Sequence, residues 1–269
     1  VPTTSGTGSE VSRFAVITDR EKEIKYPLVD DKLLPNAAVL DPVLTVSVPP
    51  VVTADTGIDV FTHAVEAFVS TAHTDFSDAA AEKAIKLAYH NLLEAYRAPD
   101  NLEARQKMHN ASCLAGIAFS NSGLGLNHGM AHALGAHFHI PHGRANGILL
   151  PYVIKYNATK PTKFAAFPKY KEYVADERYA KIARRVGLCS ADTPISEAVD
   201  CLVKAIRELM TVTERPLCIK DCGVSEAEFM SKVDELSYKA FEDQCTTANP
   251  VYPLVSEIKE LYREAYYGE

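Results

Sequence analysis

The distribution of proline divides this sequence into two parts with different folding properties. Pro27, Pro35, Pro42, Pro49 and Pro50 punctuate the first fifty residues. Because proline has no backbone N–H and its ring clashes with the preceding helical turn, this spacing excludes a long helix before residue 50. This part of the chain is therefore predicted to form strands and turns.

Three short segments of this part have the composition of strands. Residues 14–18 and 24–29 are rich in β-branched and aromatic side chains, and the polar residues 19–22 between them predict a hairpin turn. Residues 37–40 predict a third short strand. We expect a small β-rich part over residues 1–48.

After Pro50 apolar side chains recur at three- and four-residue spacing, which is the period of an amphipathic helix. The chain is therefore predicted to be mainly α, with a large multi-helical domain over residues 49–269. The helical segments are predicted at 53–70, 75–97, 102–120, 128–138, 194–210, 225–240 and 255–265.

Charge and cysteine usage limit the classes of partner. The formal net charge of -7 disfavours nucleic acid, which binds basic surfaces, and also an anionic membrane surface. The six cysteines are scattered along a long chain, which favours reduced thiols and a cytoplasmic location. The first residues lack the pattern of a signal peptide and resemble the end of a strand that enters a turn. We therefore expect that Val1 is not the start of the protein and that an N-terminal part precedes it.

Asp59 and His63 stand four residues apart in a predicted helix with apolar neighbours. This spacing places both side chains on one face, close enough to bind the same metal ion. A buried ionised aspartate also requires a partner or a cation. Taken alone, the pair is more typical of a simple aspartate–histidine hydrogen bond than of a metal site.

A second segment is unusually rich in histidine. Five of the nine histidines fall between His128 and His142, again among apolar residues. His128 and His132 share a helix face, and His142 lies between proline and glycine, where the chain can turn back. Three imidazoles and one carboxylate would suit Fe(II) or Zn(II), whereas satisfied core histidines are the alternative explanation. The Cys218 and Cys222 thiols lack the second ligand pair of a structural zinc site.

Residues 2–10, PTTSGTGSE, combine threonine hydroxyls with glycines. Backbone N–H groups exposed by glycine can bind a phosphate or a ribose. The segment matches neither of the common nucleotide-binding glycine motifs, and an ordinary connection between a strand and a turn remains the alternative.

These segments together resemble one known family. The sequence is similar to the iron-containing (group III) alcohol dehydrogenases along essentially all its 269 residues, and its tail resembles the alcohol dehydrogenase portion of bifunctional aldehyde–alcohol dehydrogenases. The resemblance implies the dehydroquinate synthase-like fold, with residues 1–48 as a β-rich remnant of an NAD-binding domain and residues 49–269 as the helical metal-binding domain. Its carriers are PTTSGTGSE (2–10), LDP (40–42), TGIDVFTHAVEA (56–67), AFSNSGLGLNHGMAHALG (118–135) and IPHGRANGILLP (140–151).

The resemblance also implies roles for individual residues. His132 would lie beside the nicotinamide and relay a proton, and Phe119 would wall the alcohol pocket. The implied cofactors are Fe(II), which Zn(II) could replace, and NAD. The implied metal ligands are Asp59, His63, His128 and His142, and the implied NAD contacts are Thr3, Thr4, Thr7, Lys25 and Leu44.

The implied reaction is the reversible transfer of hydride between a primary alcohol and NAD, and a homo-oligomer is expected, with filaments in a longer parent protein. The family's Gly-Gly-Gly-Ser pyrophosphate loop is absent from the sequence, so this chain alone is expected to bind NAD poorly and to be inactive. Two alternatives stay open: a polyol dehydrogenase of the glycerol type, and a catalytically silent helical module for assembly.

Overall fold

The computed structural model describes residues 1–19, 24–163 and 173–268, without the side chains of 18–19 and 24–27. Within these ranges the chain forms one hairpin followed by helices, so the predicted mainly α class is confirmed. The strands are β1, Phe14–Asp19, and β2, Ile24–Val29. The helices are α1, Pro50–Val69; α2, Asp75–Arg97; α3, Leu102–Ser122; α4, Leu126–Phe138; α5, His142–Ala158; α6, Ala175–Val186; α7, Ile195–Val212; α8, Glu226–Glu242; and α9, Val255–Tyr267.

The predicted hairpin is confirmed, and the predicted third strand is wrong. Strands β1 and β2 pair antiparallel, from Phe14 opposite Val29 to Asp19 opposite Ile24. Residues 20–22 of the predicted turn lie outside the described residues. Residues 37–40 have no strand pairing in the described part of the chain, because they run as a connection between two short 3-10 turns, Asp31–Leu33 and Pro42–Thr45.

Helix α1 is buried along most of its length. It packs against α2, α3, α5 and α6. Gly57 allows the close approach of α2, because a Cβ atom there would lie 2.2 Å from a methyl group of Leu92. A helix surrounded in this way must be apolar around its circumference, so a polar side chain within it requires a specific partner.

The helix ends show why these segments begin where they do. Thr74 and Ser77 exchange hydrogen bonds in a capping box at the start of α2, and the Asn101 side chain accepts from the Ala104 N–H at the start of α3. Helix α4 differs from these two helices, because its N-cap residue is Gly125, which has no side chain to accept a hydrogen bond from the first turn. Among the described residues, no helix combines the length and apolar character needed to cross a membrane.

Candidate metal centre

Helix α1 carries two of the residues predicted to bind metal. Asp59 and His63 are one helical turn apart, and both side chains are buried in the centre of the bundle. The separation between the His63 Nδ1 and Asp59 Oδ2 atoms is 3.9 Å, which is too long for a direct hydrogen bond. Asp59 and His63 therefore do not form the simple hydrogen bond that the sequence also allowed.

Two further predicted ligands lie at the starts of successive helices. His128 is the third residue of α4, and His142 is the first residue of α5. Between the helices His139 adopts the left-handed conformation with φ of 55°, and Pro141 directly precedes α5. This turn reverses the chain and brings the His142 ring to within 5.2 Å of the His128 ring.

The structure brings these four residues together. One potential ligand atom from each of Asp59, His63, His128 and His142 lies within 4.8 Å of the others. The Asp59 Oδ1 atom is 3.8 Å from His128 Nε2 and 3.6 Å from His142 Nε2. Residues from three helices, separated by up to 83 positions in the sequence, thus face one point.

Asn146 lies beside this point, one turn after His142 on α5. Its Nδ2 atom is 2.7 Å from Asp59 Oδ1, 3.1 Å from His128 Nε2 and 3.2 Å from His142 Nε2. The Asn127 Nδ2 group donates to Asn146 Oδ1 at 3.0 Å, which fixes the orientation of the Asn146 amide. The NH₂ group has two hydrogens: one is donated to Asp59 Oδ1, the shortest contact, and the other faces the two histidine Nε2 atoms.

Burial determines the charge states in this cluster. Desolvation lowers the pKa of His63, and it lowers the pKa of His128 well below its usual value, with His63 and His142 acting in the same direction. These imidazoles are therefore neutral near pH 7 and retain a lone pair for a metal. Desolvation also raises the pKa of Glu66 to about 8, against the opposite effect of the backbone hydrogen bonds from Asn127 and His128.

The residues present fit a divalent metal. The Asp59 oxygens lie 3.6 to 3.9 Å from the three imidazole nitrogens, close to the roughly 3.4 Å between tetrahedral ligands with bonds of about 2.1 Å. The His63 Nδ1 atom is buried without a hydrogen-bond partner, a state that coordination would relieve. Three imidazoles and one carboxylate suit Fe(II) or Zn(II) better than Mg(II) or Ca(II).

His132 lies beside the four-residue cluster and belongs to a separate group with Asp243 and Cys245. Its Nδ1 atom is 2.8 Å from Asp243 Oδ2, and its ring stacks on His142 at 5.3 Å between ring centroids. Desolvation opposes the ionisation of Asp243, but hydrogen bonds from His132 and from the Cys245 N–H hold the pKa of Asp243 below its usual value. The Asp243 carboxylate therefore orients the His132 ring. Desolvation, with Asp243 nearby, raises the pKa of the Cys245 thiol.

Phe119, the residue predicted to wall the alcohol pocket, lies next to the cluster. Its ring on α3 stacks on the His63 ring with 4.7 Å between centroids, and Phe14 of β1 contacts its other side at 6.0 Å. Phe119 is buried and restricts the motion of the His63 ring.

The segment that carries Thr3, Thr4 and Thr7 packs against the first and third helices. Gly8 has φ of +59°, and a Cβ atom there would lie 2.7 Å from the Gly116 Cα on α3. The His63 ring donates a hydrogen bond to the Gly6 backbone, so this segment adjoins the cluster. The three threonines are only partly buried or exposed, as a role in ligand binding requires.

Leu44 and Lys25 belong to other elements of the chain. Leu44 is exposed within the 3-10 turn Pro42–Thr45. Lys25 pairs with Thr18 in the hairpin, and its side chain lies outside the described residues. That these five residues contact NAD stays a prediction.

Three residues at the centre were not assigned a role from the sequence. Glu66 lies seven residues after Asp59, and Asn146 lies four residues after His142, so helical spacing carried a signal for both. Asp243 approaches His132 across 111 positions, and no local pattern could have indicated that contact. His137 and His139, which contributed to the histidine-rich pattern, lie toward the other end of α4 and outside the cluster.

The fold and the cluster define a class of helical proteins with a buried centre of one aspartate and three histidines. The model of the C-terminal part of the Fe-containing alcohol dehydrogenase family matches residues 53–266, and that of iron-containing alcohol dehydrogenase matches residues 1–42. This chain belongs to the iron-containing alcohol dehydrogenase family.

Individual relatives agree with this assignment. Aldehyde-alcohol dehydrogenase 2 of Entamoeba histolytica is 50% identical over 267 residues, which are 99% of this chain and 30% of that protein. The chain therefore spans about a third of the length of this curated relative. Alcohol dehydrogenase from Oenococcus oeni has a TM-score of 0.88 at 36% identity, over 98% of this chain and 64% of that one. Sulfoacetaldehyde reductase from Bifidobacterium kashiwanohense, solved in complex with NAD+, has a TM-score of 0.83 at 32% identity, over 100% and 64%.

Proposed function

We propose that this protein is a metal-dependent oxidoreductase that interconverts a short-chain primary alcohol and its aldehyde with NAD(H). The observation that carries the proposal is the convergence of ligand atoms from Asp59, His63, His128 and His142 within 4.8 Å. Family membership and the names of the relatives, which include a 1-propanol dehydrogenase and an NADPH-dependent butanol dehydrogenase, support the substrate class. The use of NAD(H) is supported by the NAD+ complex of the related reductase.

In this proposal Asp59 and the three histidines hold Fe(II), or Zn(II) in its place. A metal held there would supply the Lewis acidity that stabilises negative charge on a substrate oxygen, and a bound nicotinamide would accept or donate the hydride. The apolar side chains around α1 and the Phe119 ring exclude water, which strengthens the electrostatic interactions inside the site. Asp59 offsets part of the positive charge of the metal.

His132 would exchange the proton of the alcohol. The Asp243 carboxylate accepts the hydrogen of His132 Nδ1, which leaves the other ring nitrogen to accept and release a proton. The ring lies against His142 and therefore adjacent to the substrate oxygen in this proposal.

We propose the same division of the chain as the sequence indicates: residues 1–48 belong to the nucleotide-binding side of the cleft and residues 49–269 to the metal-binding domain. Thr3, Thr4, Thr7, Lys25 and Leu44 would line the nucleotide side. A cytoplasmic location and a homo-oligomer are further parts of this proposal, and filaments apply to a longer parent protein.

The test compares two histidine variants. In a full-length protein, His128→Ala should lose bound metal and turnover together, whereas His132→Ala should retain stoichiometric metal and lose about 10²- to 10⁴-fold in kcat. Metal content is measured by atomic emission after purification under anaerobic conditions, and turnover by NADH absorbance. Stoichiometric metal in His128→Ala would show that the ligand assignment is wrong.

Two further measurements separate the alternatives. Ethanol and 1-propanol should be oxidised with a higher kcat/KM than glycerol, and the reverse order would favour a polyol dehydrogenase. Calorimetric titration of the chain with NAD tests the assembly module, because a chain that neither binds NAD nor turns over alcohol, yet assembles, would support that alternative.

A further inference from the structure

Glu66 is a buried carboxylate on α1 that none of the roles above uses. It follows Asp59 by seven residues and His63 by three, so all three side chains leave the same face of the helix. Its exposed fraction is 3%, and it lies at the end of this face nearest to the start of α4. A carboxylate this deeply buried requires partners that compensate for the loss of water.

Both oxygens of Glu66 contact α4. The Oε2 atom forms a short hydrogen bond with His128 Nδ1. The Oε1 atom accepts from the Asn127 N–H at 2.8 Å and from the His128 N–H at 3.4 Å. These are free backbone donors of the first turn of α4, whose own N-cap residue, Gly125, has no side chain to satisfy them.

Gly125 makes this arrangement possible. A Cβ atom at this position would lie 2.9 Å from Glu66 Oε1 and 2.9 Å from Asn249 Oδ1. Asn249 accepts from the next backbone donor, the Leu126 N–H, at 3.1 Å. The first turn of α4 is therefore capped by side chains from two distant elements, and Glu66 is the one that also reaches the His128 ring.

We propose that Glu66 is a positioning residue for the metal centre, which accepts the Nδ1 hydrogen of His128 and so leaves the His128 Nε2 lone pair directed at Asp59 and His142. This inference rests on the metal site of the proposed function and adds to it a residue outside the four ligands. The Asn146 amide supports it independently, because its NH₂ group faces His128 Nε2 as a donor. The contact with Glu66 also fixes the His128 ring to α1, the helix that carries Asp59 and His63.

The isosteric substitution Glu66→Gln tests this role. A glutamine has one acceptor oxygen, so if that oxygen caps α4, the amide NH₂ group faces His128 Nδ1 and selects the tautomer with hydrogen on Nε2. Loss of such an outer partner of a metal ligand typically reduces metal affinity 10- to 100-fold. We therefore expect the dissociation constant for Co(II), measured by competition with a chromophoric chelator, to rise by about 10- to 100-fold.

A second readout requires no metal. At pH 9.5, where the Glu66 carboxyl is ionised, the His128 signal of metal-free wild-type protein labelled with ¹⁵N-histidine should show hydrogen on Nδ1, and in Glu66→Gln it should shift to hydrogen on Nε2. The signal is assigned by its loss in His128→Gln. Should Glu66→Gln fail to fold, the wild-type tautomer alone decides, because hydrogen on Nε2 in the wild type overturns the proposal.

The matched control is Glu257→Gln, which also replaces a hydrogen-bonded, partly buried glutamate but lies away from the four ligands. It should leave Co(II) affinity unchanged. If Glu66→Gln binds Co(II) within twofold of the wild type, Glu66 has only a structural role and the proposal is wrong. If the wild type itself binds no Co(II), the metal site of the proposed function fails, and this inference fails with it.

Discussion

Gly143 connects the ligand His142 to the rest of α5 and lies directly against α1. A Cβ atom on Gly143 would lie 1.9 Å from the Asp55 carbonyl oxygen and 3.1 Å from the Asp59 Cβ. The contact atom is backbone, so it cannot rotate away as a flexible side chain could. A hydrogen atom at this position is therefore what allows His142 and Asp59 to approach each other.

We predict that Gly143→Ala separates the starts of α1 and α5. The methyl group should cost about 1–3 kcal/mol of unfolding free energy, as overpacking of a core does, and should lower metal affinity at least about tenfold, because His142 moves away from Asp59. Urea unfolding and Co(II) titration measure the two effects.

Gly187 provides a control that separates steric from conformational effects. It has φ of +89°, and a Cβ atom there would meet nothing within 4 Å. Gly187→Ala should therefore cost about 1 kcal/mol through backbone strain alone and leave metal affinity unchanged. Equal metal affinity in Gly143→Ala and the wild type would contradict the steric argument.

Between elements, an ion pair joins the same two helices one turn away from the ligands. Arg144 on α5 donates from Nη2 to Asp55 Oδ2 at 3.0 Å and from Nε to Asp55 Oδ1 at 3.4 Å. Asp55 lies one turn before Asp59, and its side chain is 10% exposed, whereas Arg215 stands 3.9 Å away on its other side. This pair holds α1 and α5 at the separation that the ligand cluster requires.

Arg144→Ala is predicted to destabilise the protein by about 2–4 kcal/mol, because it leaves the buried Asp55 carboxylate without its two-point partner. The matched control is Arg185→Ala, which removes an arginine whose contact with Glu82 is exposed to solvent. This substitution should lower the unfolding free energy by less than about 1 kcal/mol. Chemical denaturation of both metal-free variants measures the difference. Similar effects of the two substitutions would mean that the Asp55 contact does not connect the helices.

The accuracy of the sequence predictions differs among the elements for physical reasons. Helix α2 alternates buried and exposed positions, and its predicted bounds agree with the structure. Helix α5 was missed because it is buried on all sides over most of its length and contains Pro151, so neither periodicity nor composition indicated a helix. Helix α6 was also missed, although Tyr179, Ile182 and Val186 follow helical spacing and the signal was present.

For the candidate site, the sequence could predict which residue types come together but not how their partners hold them. The four ligands were expected from helical spacing and from the family resemblance. Contacts such as that of Glu66 with His128 or Asp243 with His132 join residues more than sixty positions apart. Such contacts depend on how whole helices pack, which local periodicity does not encode.

Over the whole molecule, the C-terminal helix is attached to the helix that begins at His142. Glu257 on α9 accepts through Oε2 from the Tyr156 hydroxyl on α5 at 2.7 Å, from the Leu254 N–H at 2.7 Å and from Lys163. Burial opposes the ionisation of Glu257, but these hydrogen bonds, chiefly that from Lys163, hold its pKa below the ordinary value of 4.5.

This contact predicts a pH dependence of stability with a definite sign. A carboxyl group with a lower pKa in the folded than in the unfolded state binds fewer protons when folded, so its stabilising contribution is complete above pH 4.5 and is lost as the pH falls through its folded value. Glu257→Gln should therefore be less stable than the wild type at pH 7, by about 1 kcal/mol given its partial exposure. The difference should shrink below pH 4.5. Urea unfolding of the metal-free proteins between pH 3 and pH 7 measures this difference in stability. Protonation of the histidines affects the wild type and the variant equally and cancels in the comparison.

The control is Glu260→Gln, on the same helix with only a 3.5 Å contact to Arg263, which should show no such trend. A stability difference that stays constant down to pH 3 would mean that Glu257 contributes by packing and not by its charge.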